Sequence, residues 1–215
     1  MEQIGQILKN STTQFSQQTS LAKNSTKELA TKPKWATEIA NRYGDYQNFC
    51  NTFSYGLMNK VANAPLRACG GTAPSLVRLD TTYGNGAAQT WLYDILQATF
   101  AVLGVNEDKF SKEQILDLAC TISSQYRNLK VTEMMLFLAR FKAGKYGRFY
   151  GGDSYALVIT EALEKFYYGE RVNILKQVEE KEWEEKQKEM MKDTITFEEY
   201  KRRQGGKTNL DDFFG

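Results

Sequence analysis

Arg140, Lys142, Lys145 and Arg148 stand close together in the chain, with Tyr146, Phe149 and Tyr150 set among them and Gly144, Gly147, Gly151 and Gly152 between. Lysine and arginine neutralise phosphates, and exposed aromatic rings stack on unpaired bases, so this set suits single-stranded nucleic acid, DNA above all. From Tyr126 to Tyr150 six basic side chains face one acid, Glu133, a local excess of five in a chain whose formal net charge is only +2. The candidate nucleic-acid-binding residues are therefore Arg140, Lys142, Lys145, Tyr146 and Arg148, and Tyr146 is expected to stack because Lys145 and Gly147 place it at a turn apex. The same residues also have a purely structural use, with glycines supplying positive φ, Phe149 and Tyr150 plugging the core beneath a turn, and the lysines solvated.

Other chemistries lack their residues. The chain has no histidine, which removes the commonest general base, the Ser-His and Cys-His pairs and nearly every zinc site. Cys50, Cys69 and Cys120 are odd in number and widely spaced, fitting neither a disulfide framework nor paired metal ligands; they are read as buried small hydrophobes. Gly147 to Ser154 has the glycine spacing of a P-loop but puts Asp153 where the phosphate-binding lysine belongs, and an acid there repels a nucleotide. Gly84-Asn85-Gly86 lacks the third glycine of a dinucleotide fingerprint and the strand before it. Asp80 and Asp94 are isolated, and carboxylate pairs occur chiefly in the charged helix. No catalytic residue, metal site or cofactor is expected, and the chain is not read as an enzyme.

The elements that must position the basic turn are helical. Trp35, Ile39, Tyr43, Tyr46, Phe49, Phe53, Leu57 and Val61 recur at three- and four-residue intervals, one helical face that Gly44 and Gly56 weaken. Residues 62–90 hold two prolines and four glycines and read as loops around a short element near Ser75–Leu79. Trp91, Leu92, Ile95, Leu96, Ala98, Val102 and Leu103 are apolar on more than one side and predict a central helix. Ser111 to Gln114 has the form of a capping box ahead of the stripe Ile115, Leu118, Ala119, Ile122 and Tyr126. The next helix is expected to start with Thr132 as N-cap, to bury Met134, Phe137, Leu138 and Phe141, and to stop at Gly144. After the turn, Asp153 or Ser154 caps a helix facing Tyr155, Val158, Ile159, Ala162 and Phe166 inward.

The ends differ in character. Residues 1–32 contain nine Ser/Thr, five Gln and one aromatic, Phe15, too little apolar surface to offset ordering, and are expected to be a disordered arm. Residues 33–169 form one helical domain. Residues 170–204 are a charged helical extension, with Glu182/Lys186 and Glu184/Lys188 ordered for i,i+4 pairing and Val172, Leu175, Val178 and Trp183 as sparse apolar contacts. A capping box at Thr196 to Glu199 begins its last short helix, and residues 205–215 are a flexible tail. The tail's Asn-Leu-Asp-Asp-Phe-Phe-Gly sets acids beside Phe213 and Phe214, so Trp183, Leu210, Phe213 and Phe214 are the candidate partner-binding residues. No run of apolar residues is long enough to span a membrane and no signal peptide opens the sequence, which reads as a cytoplasmic, all-α protein of undetermined oligomeric state.

Phe110 to Arg171, with "LKVTEMMLFLARFKAGKYGRFYGGDSYALVITEALEKF" at its centre, resembles small, poorly characterised proteins of phages and mobile elements of Bacteroides-type bacteria. The shared pattern is a helix, Phe-Lys-x-Gly-x-Tyr-Gly-x-Phe-Tyr-Gly, and a second helix ending near an aromatic. Gly152-Asp153-Ser154 is shifted from the Ser-x-Asp expected after the last glycine, and Glu198 to Arg203 resembles the C-terminal ends of such proteins. By analogy with the replication accessory factors of such elements, helicase loaders among them, the resemblance implies a non-enzymatic DNA-replication accessory protein. Such a protein binds nucleic acid and a partner such as a replicative helicase. The alternative is a structural or packaged phage protein, within the particle, docking on neighbouring subunits through its long helix and tails.

Overall fold

The computed structural model describes residues 32–105, 108–147 and 154–193. Residues 1–31, Arg148 to Asp153, the Thr196 capping box and the tail with Leu210, Phe213 and Phe214 lie outside the described residues. The fold is all-α: every regular element among the described residues is helical, and the one β-like contact is an isolated bridge between Ser75 and Lys130.

The apolar face from Trp35 to Val61 is divided among α1 (Lys34–Tyr43), α2 (Tyr46–Thr52), a 3-10 turn (Tyr55–Leu57) and α3 (Met58–Ala62). Gly44 makes the first break, at φ 76°, where a side chain is strained. Asp45 then caps α2, its carboxylate accepting from the Asn48 N–H at 2.8 Å. The breaks do not scatter the stripe, because Tyr43, Phe49 and Phe53 meet with ring centroids 4.9 to 6.0 Å apart.

Residues 62–90 are more helical than their glycines and prolines suggest, with α4 (Pro65–Gly70) and α5 (Leu76–Tyr83). Pro65 opens α4, where a missing N–H costs nothing. The start of α5 is closed by a distant loop: Leu76 N–H donates to the Leu129 carbonyl at 3.0 Å and Val77 N–H to that of Arg127 at 2.9 Å. In return the Val131 N–H donates to the Pro74 carbonyl at 3.0 Å. α6 (Ala87–Val102) buries Trp91, Leu92, Ile95, Leu96, Thr99 and Phe100 as a core helix should, but Val102, expected inward, is 61% exposed in its last turn. Asp80 accepts the Ala88 N–H at 2.9 Å. The place an anion would take at the start of α6 thus holds the protein's own carboxylate.

α7 (Lys112–Gln125) begins with the Ser111–Gln114 capping box, both reciprocal bonds present, and packs between α6 and α9. α8 (Val131–Lys142) starts earlier than expected, because Lys130 rather than Thr132 is the N-cap residue; the Thr132 hydroxyl instead donates to the Ala68 carbonyl at 2.7 Å. α3 and α4 pack on α8, and Met134 through Ala139 are all buried, so it has no polar face along this stretch. α9 (Tyr155–Lys165), a five-residue π-turn (Phe166–Glu170) and α10 (Arg171–Asp193) complete the order. Ile159, Ala162, Leu163 and Phe166 are buried, while Tyr155 and Val158 are half-buried. Of the cysteines, Cys69 is buried and Cys50 and Cys120 are half-buried, all three as free thiols.

Candidate functional site

Four of the five residues proposed for nucleic acid are described, and each is engaged within the protein. α8 ends in a Schellman turn: the Lys145 N–H donates to the Arg140 carbonyl at 3.1 Å and the Gly144 N–H to that of Phe141 at 2.9 Å. Gly144 (φ 76°) and Gly147 (φ 114°) supply the positive angles. The turn folds the chain back onto the π-turn, where Glu170 waits. Arg140 Nη1 lies 2.8 Å from Glu170 Oε1, the Lys145 ammonium contacts the same oxygen, and the Tyr146 hydroxyl donates to Oε2 at 2.5 Å.

Tyr146 is therefore not a free apex. Its ring packs on Phe137 with centroids 5.6 Å apart, it is half-buried, and burial pushes its phenol up to about 12 against the pull of Arg140. Lys142 turns to the other side of the helix end, donating to the Tyr55 hydroxyl at 2.8 Å with its nitrogen 4.8 Å from that ring's centre. Arg148 lies outside the described residues. The sequence pattern showed the cations and the aromatic but not the acid that gathers them, since Glu170 lies beyond the intervening helix.

A second ion pair of opposite polarity sits one residue along. Glu133 is fully buried; its Oε1 accepts from Arg171 Nε at 2.9 Å and its Oε2 from the Lys130 N–H at 2.8 Å. The Lys130 ammonium donates to the carbonyls of Cys69 at 2.6 Å and Gly71 at 2.8 Å. Glu133 and Arg140, two turns apart on α8, thus bind Arg171 and Glu170, adjacent residues on either side of the π-turn's end. One available signal pointed to Glu133: it is the sole acid in the basic stretch.

These pairs fix the base of α10. Its first turns pack on α4, where Ile174 is buried and Val178 closes on Gly70 so tightly that an added Cβ would stand 2.7 Å from Val178 Cγ1. Farther along the helix three large apolar side chains stand exposed: Trp183 at 64%, Met190 at 65% and Met191 at 73%. At about 100° per residue, Trp183, Gln187, Met190 and Met191 share one side of α10, opposite the side of Val178, Glu182 and Glu185. Trp183 is thus the one described member of the expected partner-binding set.

Elsewhere the described residues offer little for catalysis. A small recess of about 140 Å³ is lined by Cys50, Tyr55, Trp91 and Asp94 among others, and burial pushes both the Cys50 thiol and the Asp94 carboxyl up. The thiolate needed for attack is thereby disfavoured. Among the described residues no three Cys, Asp or Glu side chains gather where they could hold a metal ion, and no helix is long and apolar enough to cross a membrane.

A sequence family described as a family of unknown function (DUF6633) matches residues 109–210. The matched span runs from just before α7 through α10 and includes both ion pairs and the exposed face of α10. No characterised protein and no solved structure matches the chain.

Proposed function

We propose that this chain is a non-enzymatic accessory protein that holds a helix of a partner protein along the outer face of α10. One observation carries the reading: Trp183, Met190 and Met191 stand exposed on a helix whose base is locked by Glu133–Arg171 and Arg140–Glu170. Trp183, Met190 and Met191 stand at i, i+7 and i+8, with half-buried Gln187 between them at i+4, a narrow seam that matches one partner helix, with Glu180 and Glu184 beside it to select charge. Tryptophan is a frequent energetic anchor at such contacts. The resemblance to phage and mobile-element proteins supports a role in DNA replication, with a replicative helicase as the partner to test first. Wild-type protein should co-elute with that helicase in size-exclusion chromatography, and Trp183→Glu with Met190→Glu should abolish the complex. A complex that survives both substitutions refutes the reading. Self-association lost in the same variant would instead favour a structural protein docking on its neighbours.

Nucleic-acid binding is a second reading, favoured by one observation: Arg140, Lys142 and Lys145 share the end of α8 with a single acid, Glu170, and Lys145 keeps 51% of its side chain exposed. Affinity for single-stranded DNA should then fall with salt at a log–log slope near −0.7 per phosphate contact, and glutamine at Lys142 and Lys145 should flatten it by roughly 1.4. Undetectable binding at low salt removes this reading.

A further inference from the structure

The side of α10 opposite Trp183 overhangs a groove of about 490 Å³. Its apolar floor is Tyr43, Phe53, Leu66 and Val178. The wall facing α10 carries Arg67, which is exposed, and Thr72, which holds the Arg42 guanidinium through a hydrogen bond of 2.5 Å. The acids of the groove, Glu182 and Glu185, come from α10 alone, where Lys181 also lies. The groove is therefore apolar at the bottom, cationic on one wall and mixed on the other, within the size range of about 300–1,000 Å³ that binds ligands.

We infer that this groove receives the chain's own C-terminal segment Leu210 to Phe214. Phe213 and Phe214 occupy the apolar floor, and Asp211 and Asp212 face Arg67 and Arg42. Reach distinguishes this segment from the rest of the chain beyond α10. The middle of the groove, near Lys181, lies about 18 Å back along the helix from Asp193, at 1.5 Å per residue. Phe197 follows Asp193 by four residues, at most about 13 Å of chain, and Tyr200 by seven, about 23 Å when fully extended, too little for the turn that must bring the chain back along the helix. Leu210 has seventeen residues, up to roughly 55 Å, and reaches with chain to spare. Lys201, Arg202 and Arg203 bring no apolar side chain to fill the floor. Residues 1–31 contain one aromatic, Phe15, and no acid beside it. The contact is independent of the partner seam, which lies on the other side of α10.

The test uses full-length protein with labelled Leu and Val methyls. Phe213→Ala with Phe214→Ala should shift the Leu66 and Val178 methyl signals, and a synthetic peptide of residues 208–215 added to that variant should move them back. In hydrogen exchange, Leu210–Phe214 amides should be roughly tenfold better protected in wild type than in Arg67→Glu. Asp211→Lys with Asp212→Lys in the Arg67→Glu background should restore the protection. Methyl signals indifferent to the phenylalanine substitutions overturn the proposal. So does protection that grows with protein concentration, which assigns the groove to the tail of a second copy. Methyl shifts produced only by an added partner protein also overturn it, giving the groove to that partner.

Discussion

Removing the Glu133 carboxylate should destabilise the protein more than any surface charge change. Glu133 is fully buried, receives the Lys130 N–H at 2.8 Å and holds Arg171 Nε at 2.9 Å. Taking one partner from a buried ion pair costs about 3–5 kcal/mol, because the other charge is left without compensation. Arg171 keeps 17% of its side chain accessible and recovers some hydration, which lowers that figure. The uncapped Lys130 N–H adds about 1 kcal/mol. Glu133→Ala should therefore lose about 3–4 kcal/mol in urea denaturation followed by far-ultraviolet circular dichroism, with an unchanged m-value. Glu133→Gln with Arg171→Met keeps an acceptor for the Lys130 N–H and removes both charges, so that double variant should lose only about 1 kcal/mol. The coupling between the two sites should exceed about 2 kcal/mol. A Glu133→Ala loss under 1 kcal/mol, or a double variant as unstable as its two singles combined, would refute the argument that this pair fixes α10.

Gly144→Ala should cost about 1 kcal/mol in thermal unfolding, because φ is 76° there while no atom lies within 4 Å of the added Cβ, so the cost is backbone strain alone; Gly144→Asn should cost less, and equal stability of all three would contradict this. Gly70→Ala should lose about 1–2 kcal/mol by overpacking against Val178, whose Cγ1 would be 2.7 Å away, and Val178→Ala in the same chain should relieve the clash, read as non-additive melting shifts. Tyr146 should make the fold sensitive to alkali. Its folded pKa of about 12 exceeds the ordinary 10.0, so the native state holds the proton longer, and stability present below pH 10 is lost as pH rises toward 12. Tyr146→Phe should flatten the stability profile over that window.

Helix identity was legible wherever a stripe and a local cap coincided. Ser111 to Gln114 marked the start of α7 because both halves of the box are neighbours in sequence, and Gly144 marked the end of α8 because only a small set of residues accepts its φ. The element near Ser75–Leu79 was expected where α5 begins, but not the Leu129 and Arg127 carbonyls that receive its first N–H groups; the start of α8 was not legible, since Val131 finds its acceptor in the loop before α5. Thr132 looked like an N-cap by type alone; the competition was decided by Ala68, which takes its hydroxyl, and by Glu133, which reaches back to Lys130. The basic turn was visible as composition, but composition does not show what neutralises it. Glu170 counted as one acid among many in a charged helix, and only the path of the π-turn brings it under Arg140, Lys145 and Tyr146. Val102 shows the reverse error: apolar type without a neighbour to cover it.

The exchange of hydrogen bonds between the loops before α5 and α8 bears on how the chain can be divided. The matched span opens at Lys109, yet α8 within it leans on four carbonyls from before that point: Pro74 for Val131, Ala68 for Thr132, and Cys69 and Gly71 for the Lys130 ammonium. A cut at residue 108 would expose these donors and strip α3 and α4 from a helix with no polar side along Met134 to Ala139. The edge of shared sequence is therefore not a seam between folding units. A gene that exchanged one half of this protein for another would have to bring a segment presenting the same four oxygens, or forfeit the helix that carries both ion pairs.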